Sequence, residues 1–407
     1  MDEAVLKLAV IGAGPVGLAL ALHAARMLPQ CRVSLFDARP IELDVSRDPR
    51  TLALSLGSVQ FLQRLGAWDA EHAQPILEVH VSQQPPTWTG LGVLARDAQL
   101  RIRASDEGVP MLGAVLSYGQ IVAPLQAAWV AACAREPQRL HTRFGTPVSA
   151  LKPVIGAVEV DAGVVEDHDL AVVAEGGVFA NQVRKAITHD YRQTAWVGQV
   201  SLAGSGTAGC AYERFTRHGP AALLPLRSAG GEARAALVWC VASDDDPVRE
   251  LSDDQRLAVL NTLFHPDVGR LTAVSPLKDF ALGLNAERTL VDGRVVRIGN
   301  AAQTLHPVAG QGLNLGLRDT FELVHALCIE TGARPEHRRG LDTVLRRLNW
   351  RRAPDRFSMI AATDFLARSF TWRLPGAGLA RGLGLAALQA LKPARSALAR
   401  QMMFGSR

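Results

Sequence analysis

The sequence predicts an α/β fold with three parts: a discontinuous Rossmann-like dinucleotide-binding domain, a mixed or antiparallel β-sheet domain for a substrate, and C-terminal helices. A glycine fingerprint follows an apolar strand near the N-terminus, and a second glycine-rich strand-to-helix segment begins near residue 299. Between them lie stretches that alternate as sheet strands do. We expect residues 1–75, 113–184 and 279–330 in the nucleotide domain, 76–112 and 185–278 in the sheet domain, and 331–407 in the helical region.

The first fingerprint is the segment LAVIGAGPVG at residues 8–17. Gly12, Gly14 and Gly17 have G-x-G-x-x-G spacing, in which the glycines make the turn, admit a pyrophosphate, and let the helix pack on the strand. A second strand, RVSLFDA, reaches Asp37, at the distance where an acid commonly binds a ribose hydroxyl. The pattern predicts a dinucleotide site and leaves NAD and FAD open.

Residues 8–25 are apolar and about long enough to span a bilayer. Gly12, Gly14, Pro15 and Gly17 interrupt the stretch in its middle, which a membrane helix would not favour. A buried strand, a glycine turn and a buried helix explain it better.

The composition indicates a globular protein with two or three domains. The chain has 407 residues, of which 48% are hydrophobic and 20% are charged. Its five cysteines have no CxxC spacing, which argues against a zinc site or a disulfide framework and suits a reducing cytoplasm. Met1 to Glu3 lack the basic region of a secretory signal.

Basic residues concentrate at the C-terminal end. Residues 346–407 hold twelve Lys or Arg and two Asp or Glu, although the whole chain has a net charge of only +5. This distribution suggests an acidic partner. The aromatic residues among these charges, Trp350, Phe357 and Trp372, are too sparse to form the stacking platform of a nucleic-acid-binding protein.

The second glycine-rich segment is VVRIGNAAQTLHPVAGQGLNLGLRD at residues 295–319. Its strand stops at Gly299 and Asn300, and Pro307 precedes further glycines and a helical pattern. Glycine is typical where a backbone approaches another group closely. A nucleotide site built from both ends of the chain differs from the plan of an NAD dehydrogenase, which would continue with further βα units.

These segments resemble the flavin-dependent aromatic hydroxylases of the para-hydroxybenzoate hydroxylase fold, and among them the ubiquinone-biosynthesis hydroxylases. Gln303, in place of a histidine, is most similar to the branch that hydroxylates a polyprenyl methoxyphenol. The resemblance covers most of the chain and rests on the first fingerprint, RTLALSLGSVQFLQRLGAWD at 50–69, YGQ at 118–120, DLAVVAEGG at 169–177, YERFTRHGPAALLPL at 212–226 and the second glycine-rich segment.

The resemblance implies FAD as cofactor. Arg50 would then reach the ribityl or pyrophosphate region and Gln120 the phosphates, while Pro307 would lie beside the isoalloxazine and the substrate. The residues implied to bind FAD are Gly12, Gly14, Gly17, Asp37, Arg50, Gln120, Glu175, Gly299, Asn300, Gly310, Gln311, Gly312 and Asn314.

Two positions depart from the family pattern. Asn300 replaces an acid, so it keeps the hydrogen-bonding capacity and drops the charge. Glu175 and Gly176 replace an Asp-Gly pair, and the Val183-Arg184 pair comes two residues late.

The resemblance implies hydroxylation of a polyprenylated phenol in ubiquinone biosynthesis. NAD(P)H would be the transient reductant, O2 the co-substrate and a C4a-hydroperoxyflavin the oxidant, with no metal. Two alternatives stay open: a flavin-dependent isoprenoid reductase or epoxidase, and a non-catalytic flavin-fold subunit of a quinone-biosynthesis complex.

Two candidate catalytic residues adjoin each other in the second glycine-rich segment. Pro307 is expected to act by shape, because its fixed φ would hold a backbone carbonyl toward the ring. His306 either transfers a proton or is a hydrogen-bonded structural residue. Tyr212, Glu213 and Arg214 form either a polar substrate patch or the exposed face of a strand, and we favour the exposed face.

Residues 365–404 place many leucines and aromatic residues among six cations, with Asp364 at the edge. This pattern predicts an interfacial helix pair on a membrane surface. We therefore expect a cytoplasmic protein peripheral to the inner membrane. The alternative is that these helices pack against the flavin domain with their arginines in solvent.

Overall fold

The computed structural model describes residues 6–84, 98–176, 182–203, 208–331, 340–369 and 377–405. The LGVLA segment at 91–95, predicted to be a strand, lies outside the described residues, as do Phe370, Trp372 and Leu374.

The strands are β1 Leu6–Ile11, β2 Cys31–Asp37, β3 Thr51–Ser55, β4 Gln74–Ile76, β5 Glu78–Gln83, β6 Ala98–Arg103, β7 Gly113–Ser117, β8 Leu140–Phe144, β9 Ala150–Val154, β10 Ala157–Asp161, β11 Val165–His168, β12 Leu170–Val173, β13 Ile187–Ala203, β14 Cys210–Thr216, β15 Gly219–Ala229, β16 Glu232–Ala242, β17 Arg270–Val274, β18 Lys278–Ala286, β19 Val291–Asp292, β20 Val295–Arg297 and β21 Gln303–Thr304. The helices are α1 Pro15–Met27, α2 Leu56–Arg64, α3 Tyr118–Arg135, α4 Asp253–Leu263, α5 Gln311–Thr331, α6 Leu341–Ser369, α7 Ala377–Ala390 and α8 Lys392–Phe404.

A six-stranded sheet forms the nucleotide-type half of the molecule. Its order is β19-β20-β12-β1-β2-β8, and the pairs from β20 to β8 are parallel. Residues 8–11 of β1 are a continuous buried apolar run, which is typical of a parallel strand covered on both faces. The strands come from residues 6–37, 140–173 and 291–297, so the predicted discontinuity is confirmed.

A second, larger sheet has the order β21-β18-β13-β16-β15-β14-β5-β6, with β17 also paired to β13. It is mixed, because β14 runs parallel to β5 while the other pairs are antiparallel. The strand β21 belongs to the second glycine-rich segment, so this segment joins both halves of the molecule. The predicted α/β class with a mixed sheet is confirmed.

The large sheet extends beyond the range expected from sequence. Strand β18 pairs with β13 from Lys278 to Ala286, although residues from 279 onward were assigned to the nucleotide domain. The 17-residue strand β13 is long enough to pair with both β17 and β18 along one edge.

Helix α4 was not predicted, because residues 185–278 were interpreted as strands only. Its start carries a capping box: Gln255 N donates to Ser252 Oγ at 3.3 Å, and Ser252 N donates to Gln255 Oε1 at 2.9 Å. The S-x-x-Q spacing was therefore a readable signal for a helix N-terminus. Two three-stranded sheets, β11-β10-β9 and β3-β7-β4, complete the described strands.

The C-terminal helices α7 and α8 pack against the rest of the protein. Leu385, Leu388 and Leu398 join an apolar cluster that includes Ile102 and Met403. Leucines 383 and 391 are exposed. Much of the stretch predicted to contact a membrane is therefore core packing. None of the helices in the described part of the chain is long and apolar enough to span a bilayer.

Candidate FAD and substrate site

The three glycines of the first fingerprint have two different tasks. A Cβ on Gly17 would lie 1.8 Å from the carbonyl oxygen of Gly12, and a Cβ on Gly12 would lie 2.9 Å from Glu175 N. Both glycines therefore permit close backbone packing. Gly14 caps α1 in an extended conformation, and among the described residues only the Tyr118 hydroxyl, at 3.5 Å, lies within 4 Å of its Cβ position. The helix N-terminus thus has open space for a phosphate.

Asp37 ties the glycine turn to the end of β2. Its Oδ2 accepts a hydrogen bond from Ala13 N at 2.5 Å, and its Oδ1 accepts from Arg39 N at 2.8 Å and Arg39 Nε at 3.0 Å. Arg39 also donates to the carbonyl of Ala13 at 2.8 Å. Arg39 Nη2 also donates to Asp37 Oδ2 at 3.4 Å, so the carboxylate accepts four hydrogen bonds, roughly its full capacity, and a ribose hydroxyl would have to compete with this network. Arg39 was not predicted as a site residue, because its contacts depend on the folded turn.

Arg50 lies beside the first turn. Its guanidinium is 4.1 Å from the ring centroid of Tyr118, whose hydroxyl is the neighbour of Gly14. Its Nη2 is 2.7 Å from Asp48 Oδ2, and this contact lowers the pKa of Asp48. The location is compatible with the predicted role near the pyrophosphate. When no ligand is bound, Asp48 would hold the Arg50 guanidinium in this orientation.

Gln120 has a structural task that the sequence argument did not include. It forms a capping box at the start of α3, where Gln120 Oε1 accepts from Ser117 N at 2.9 Å and Gln120 N donates to Ser117 Oγ at 3.2 Å. A phosphate contact from this side chain would therefore use its amide nitrogen.

The second glycine-rich segment meets the first fingerprint directly. Gly299 has a φ of +59°, and a Cβ there would lie 3.3 Å from Val16 Cγ2. A Cβ on Gly316 of α5 would lie 2.9 Å from Gly299 Cα and 2.9 Å from the same Val16 methyl. The start of α1, the turn at Gly299 and the start of α5 therefore converge. Gly316 makes this packing possible and was missed.

Lys185 lies beside Asn300. Its Nζ donates to the carbonyl oxygen of Asn300 at 3.0 Å and to Gln182 Oε1 at 3.1 Å. Burial lowers the pKa of the Lys185 ammonium. Arg184, the arginine of the late Val-Arg pair, is exposed. Lys185 was not singled out from sequence, and it supplies a cation beside the position where the family pattern has an acid.

Glu175 follows β12 next to the glycine turn. Removal of its carboxyl from water, followed by the nearby charge of Asp37, raises the pKa of Glu175. Its backbone nitrogen is the atom that a Cβ on Gly12 would meet. The residue therefore lies at the predicted cofactor site, and its contact with FAD remains a prediction.

Pro307 begins a short turn that leads into α5. Its φ is −66° and its ψ is −6°, and its carbonyl oxygen accepts a hydrogen bond from Gly310 N at 2.9 Å. The carbonyl of Pro307 thus closes this turn, and its approach to the flavin ring stays a prediction. Gly310 has a φ of +58°, a conformation that glycine adopts without strain. Pro307 is exposed, so its ring is accessible at the turn.

His306 is a buried anchor of this turn. Its Nδ1 accepts from Val308 N at 3.2 Å, so its Nε2 carries the proton and donates to Gln193 Oε1 at 3.0 Å. The ring of Tyr191 packs edge-on at 5.2 Å. Tyr191 and Gln193 flank a bulge in β13 at Arg192, which has an uncommon φ of 49°. Burial lowers the pKa of His306 to about 4. These contacts favour the structural role over proton transfer.

His306→Gln is expected to weaken the pH dependence of stability between about pH 6.5 and about pH 4, part of which remains because burial also lowers the pKa of His23. In the folded wild type the buried ring stays neutral, whereas in the unfolded chain it binds a proton below its ordinary pKa. Stability is therefore lost as the pH falls through this window. Urea unfolding at about pH 7 and about pH 5 measures the difference, with the exposed His72→Gln as control. A variant with the wild-type pH dependence would contradict the assignment.

Asn314 is a structural residue of α5. Its Oδ1 accepts from Ser55 N and Ser58 Oγ, both at 2.8 Å, and its Nδ2 donates to the carbonyls of Ala53 at 3.1 Å and Gly310 at 3.0 Å. The amide thus fixes the start of α5 to β3 and α2. Its expected contact with the flavin would be indirect.

Gln311 and Gly312 occupy the first turn of α5. The Oε1 of Gln311, which is buried, lies 3.5 Å from Arg318 Nη2. At Gly312, no heavy atom of the described residues lies within 4 Å of a Cβ position. Gly312 therefore leaves open space at a helix N-terminus, as Gly14 does.

A buried polar network lies behind the second segment. Gln303 accepts from Arg356 Nε at 2.9 Å and donates to Asp319 Oδ2 at 3.2 Å. Arg352 bridges Asp319 and Asp355, at 2.8 Å to each. All five residues are buried. Gln303 is thus both acceptor and donor between an arginine and a carboxylate. The sequence shows that glutamine replaces histidine at position 303, but it does not show which residues this glutamine contacts.

Comparisons with known proteins identify the family. Residues 169–343 match the family described as FAD binding domain. The chain is 30% identical to ubiquinone hydroxylase UbiL of Rhodospirillum rubrum, over 98% of this chain and 90% of the relative. The chain belongs to the FAD-dependent hydroxylases of ubiquinone biosynthesis.

Two further comparisons agree with this assignment. The hydroxylase is 28% identical to 3-demethoxyubiquinol 3-hydroxylase of Escherichia coli, over 94% of each chain. Its fold resembles the crystal structure of p-nitrophenol 4-monooxygenase PnpA from Pseudomonas putida, with a TM-score of 0.71, 16% identity and 99% of each chain covered. The predicted family and the FAD-dependent monooxygenase class are confirmed.

The residues of this hydroxylase fit FAD. The helix N-termini of α1 and α5 lie close together through Val16, Gly299 and Gly316, and each has a glycine whose side-chain position is open toward a ligand. Each glycine-rich segment has a cation nearby, Arg50 beside the first turn and Lys185 beside Asn300. FAD is the cofactor of the family, and NAD(P)H is its usual co-substrate.

Proposed function

We propose that this hydroxylase adds a hydroxyl group to the ring of a polyprenylated phenol in ubiquinone biosynthesis, using O2 and NAD(P)H. The main observation in its favour is the contact between the two halves. Val308, one residue after Pro307, packs against Phe215 of the large sheet. The turn at the predicted flavin site and the inner face of the sheet thus border the same space.

The names of the relatives supply the substrate class. UbiL is named a ubiquinone hydroxylase, and the E. coli relative acts on 3-demethoxyubiquinol by its name. The inner face of the sheet contains Ala195, Val197, Val238 and Leu282, which suit an apolar substrate.

Each part of the site has a task in this reaction. When bound and reduced, FAD supplies the chemistry that activates molecular oxygen. The backbone at Gly14 and the N-terminus of α1 would hold the pyrophosphate, and Arg50 would contribute a positive charge there. His306 and Gln193 hold the Pro307 turn against the sheet, and the apolar inner face excludes water from the reacting ring. Pro307 and His306 therefore act through position and shape.

Complementation tests the pathway assignment. Cells that lack ubiquinone because a ring hydroxylase is missing should recover quinone when they express this chain, and mass spectrometry should show the accumulated phenol disappearing. A Gly14→Val variant, expected to lack FAD, is the matched control. Rescue by both proteins would favour the non-catalytic subunit, and rescue by neither would oppose the proposed pathway.

An apolar prenylated substrate resides in the membrane, so the hydroxylase would need a surface that docks there. Trp350, Phe357 and Phe365 lie on one face of α6 and are 78%, 39% and 55% exposed. Arg346, Arg347 and Arg351 near the start of this aromatic stripe are exposed as well. Aromatic residues with adjacent cations suit the interface of an anionic bilayer. The docking surface thus includes α6, in addition to the exposed leucines of α7 and the loop after it.

Replacing both Trp350 and Phe357 with serine is expected to reduce sedimentation with anionic liposomes by about tenfold or more, because burying such a side chain contributes roughly 1.5–3 kcal/mol. Ile155→Ser is the matched control, since Ile155 is fully exposed in another part of the fold. Point substitutions are preferable to truncation, because α8 packs in the core. Unchanged binding by the double variant, or binding insensitive to salt, would refute docking through this surface.

A further inference from the structure

Alternate side chains of strand β14 face two different environments. Tyr212 and Arg214 are each only 6% exposed and face α4, where Tyr212 Oη donates to the carbonyl of Asp267 and Arg214 Nε to that of Leu263. The expectation of an exposed strand face is therefore wrong. Phe215, on the opposite side, packs against Val308 of the flavin turn.

Glu213 shares the inner side of β14 with Phe215, because alternate residues of a strand face the same way. It is paired with Val81 of β5 and with Ala222 of β15. Ala211, the next residue on this side, packs in an apolar cluster. Glu213 is thus an acidic side chain between Val81 and Ala222, and buried Gln83, opposite Phe215, lies on the same face.

The Cys240 thiol of β16 lies close enough to Glu213 to sense its charge. Cys240 lies on the inner face of β16, in a cluster with Ala195 and Leu282. Burial, and next the negative charge of Glu213, raise the pKa of this thiol. This effect agrees with the strand alternation, which places Glu213 on the same face of the sheet as Phe215.

The distance along the sheet between Glu213 and the flavin turn suits an aromatic ring. Residues two apart on a strand are separated by about 7 Å, so Glu213 is about this far along the sheet from Phe215 and its contact with Val308. A ring lying beside the flavin turn would have its edge within reach of the carboxylate. A carboxylate is an acceptor, and a phenol is a donor.

We propose that Glu213 anchors the substrate by accepting a hydrogen bond from the phenol hydroxyl, which sets the orientation of the ring toward the flavin turn. This inference rests on the proposed phenol substrate and assigns a residue that holds it. The hydrogen bond also increases electron density in the ring, since it draws the phenol proton toward the carboxylate. A site built to bind a hydroxyl discriminates strongly against an analogue that lacks it.

The test compares two ligands on FAD-loaded protein: a geranyl-substituted methoxyphenol and its methyl ether, which has no phenolic proton. Binding is followed by the change in flavin absorbance on titration. In the wild type, the ether should bind roughly 10- to 100-fold more weakly than the phenol, as expected for a hydrogen bond to a charged group. In Glu213→Leu the two ligands should bind alike, within about twofold, whereas Glu213→Gln should restore part of the preference.

Glu232→Leu is the control, because Glu232 is exposed at the start of β16 in the same sheet. It should keep the wild-type preference. A phenol preference retained in Glu213→Leu would overturn the role of Glu213 and leave the proposed function standing. If the wild type responds to neither ligand, the phenol substrate itself is wrong and this inference fails with it.

Discussion

Gly14→Val is expected to purify as folded but colourless protein. Among the described residues only the Tyr118 hydroxyl lies near the Cβ position of Gly14, so the fold has room for a side chain there. That room is the space where the pyrophosphate approaches the N-terminus of α1. The ratio of flavin to protein absorbance after purification, with circular dichroism to confirm folding, measures the effect.

Two matched glycines sharpen this prediction. Gly17→Ala should fail to fold, because its Cβ would lie 1.8 Å from the Gly12 carbonyl oxygen. Gly384→Val, at an exposed position of α7, should remain yellow. A folded Gly14→Val protein with full FAD content would refute the assignment of this turn to the cofactor.

Arg352→Leu is expected to cost about 3–5 kcal/mol of unfolding free energy, because removing one partner of a buried ion pair leaves the other charge uncompensated. Asp319 would lose its ion-pair partner in the interior, whereas Asp355 would keep Arg318 at 3.6 Å. Since Asp319 also bonds Gln303, the second glycine-rich segment should loosen and the affinity for FAD should fall. Denaturant unfolding and FAD titration measure the two effects.

The neighbouring residue provides the control. Arg351 is 57% exposed in its side chain and lies 3.5 Å from Glu322, so Arg351→Leu should cost about 1 kcal/mol or less. Equal losses in the two variants would mean that the buried network contributes little to stability.

The fold class could be predicted because its signals are local. The G-x-G-x-x-G turn, the strand before it and the acid at Asp37 are close in sequence, and each physical requirement is visible in the residue type. The strand-to-helix turn of the second glycine-rich segment could be predicted in the same way, from Gly299, Pro307 and the glycines after it. The S-x-x-Q box before α4 was also present, and was overlooked among strand-like residues.

The remaining features depend on contacts between distant residues. Gln303 meets Arg356 across 53 positions, and Asn314 meets Ser55 across 259. Hydrophobic periodicity is a local pattern, so it does not reveal contacts between residues this far apart in the sequence. For the same reason Asn314 was expected to face the flavin, whereas its amide hydrogen bonds hold α5 in place. Burial of Tyr212 and Arg214 follows from α4 covering the outer face of the sheet.

The most direct test measures three quantities together on FAD-loaded protein with a prenylated methoxyphenol: NAD(P)H consumed, O2 consumed and hydroxylated product formed. The proposed function predicts that the phenol stimulates NAD(P)H oxidation and that the O2 consumed and the product formed are nearly equal in amount. NAD(P)H oxidation that yields a reduced product without O2 uptake would indicate a reductase instead. No phenol-dependent oxidation of NAD(P)H by protein that retains FAD would contradict the hydroxylase assignment.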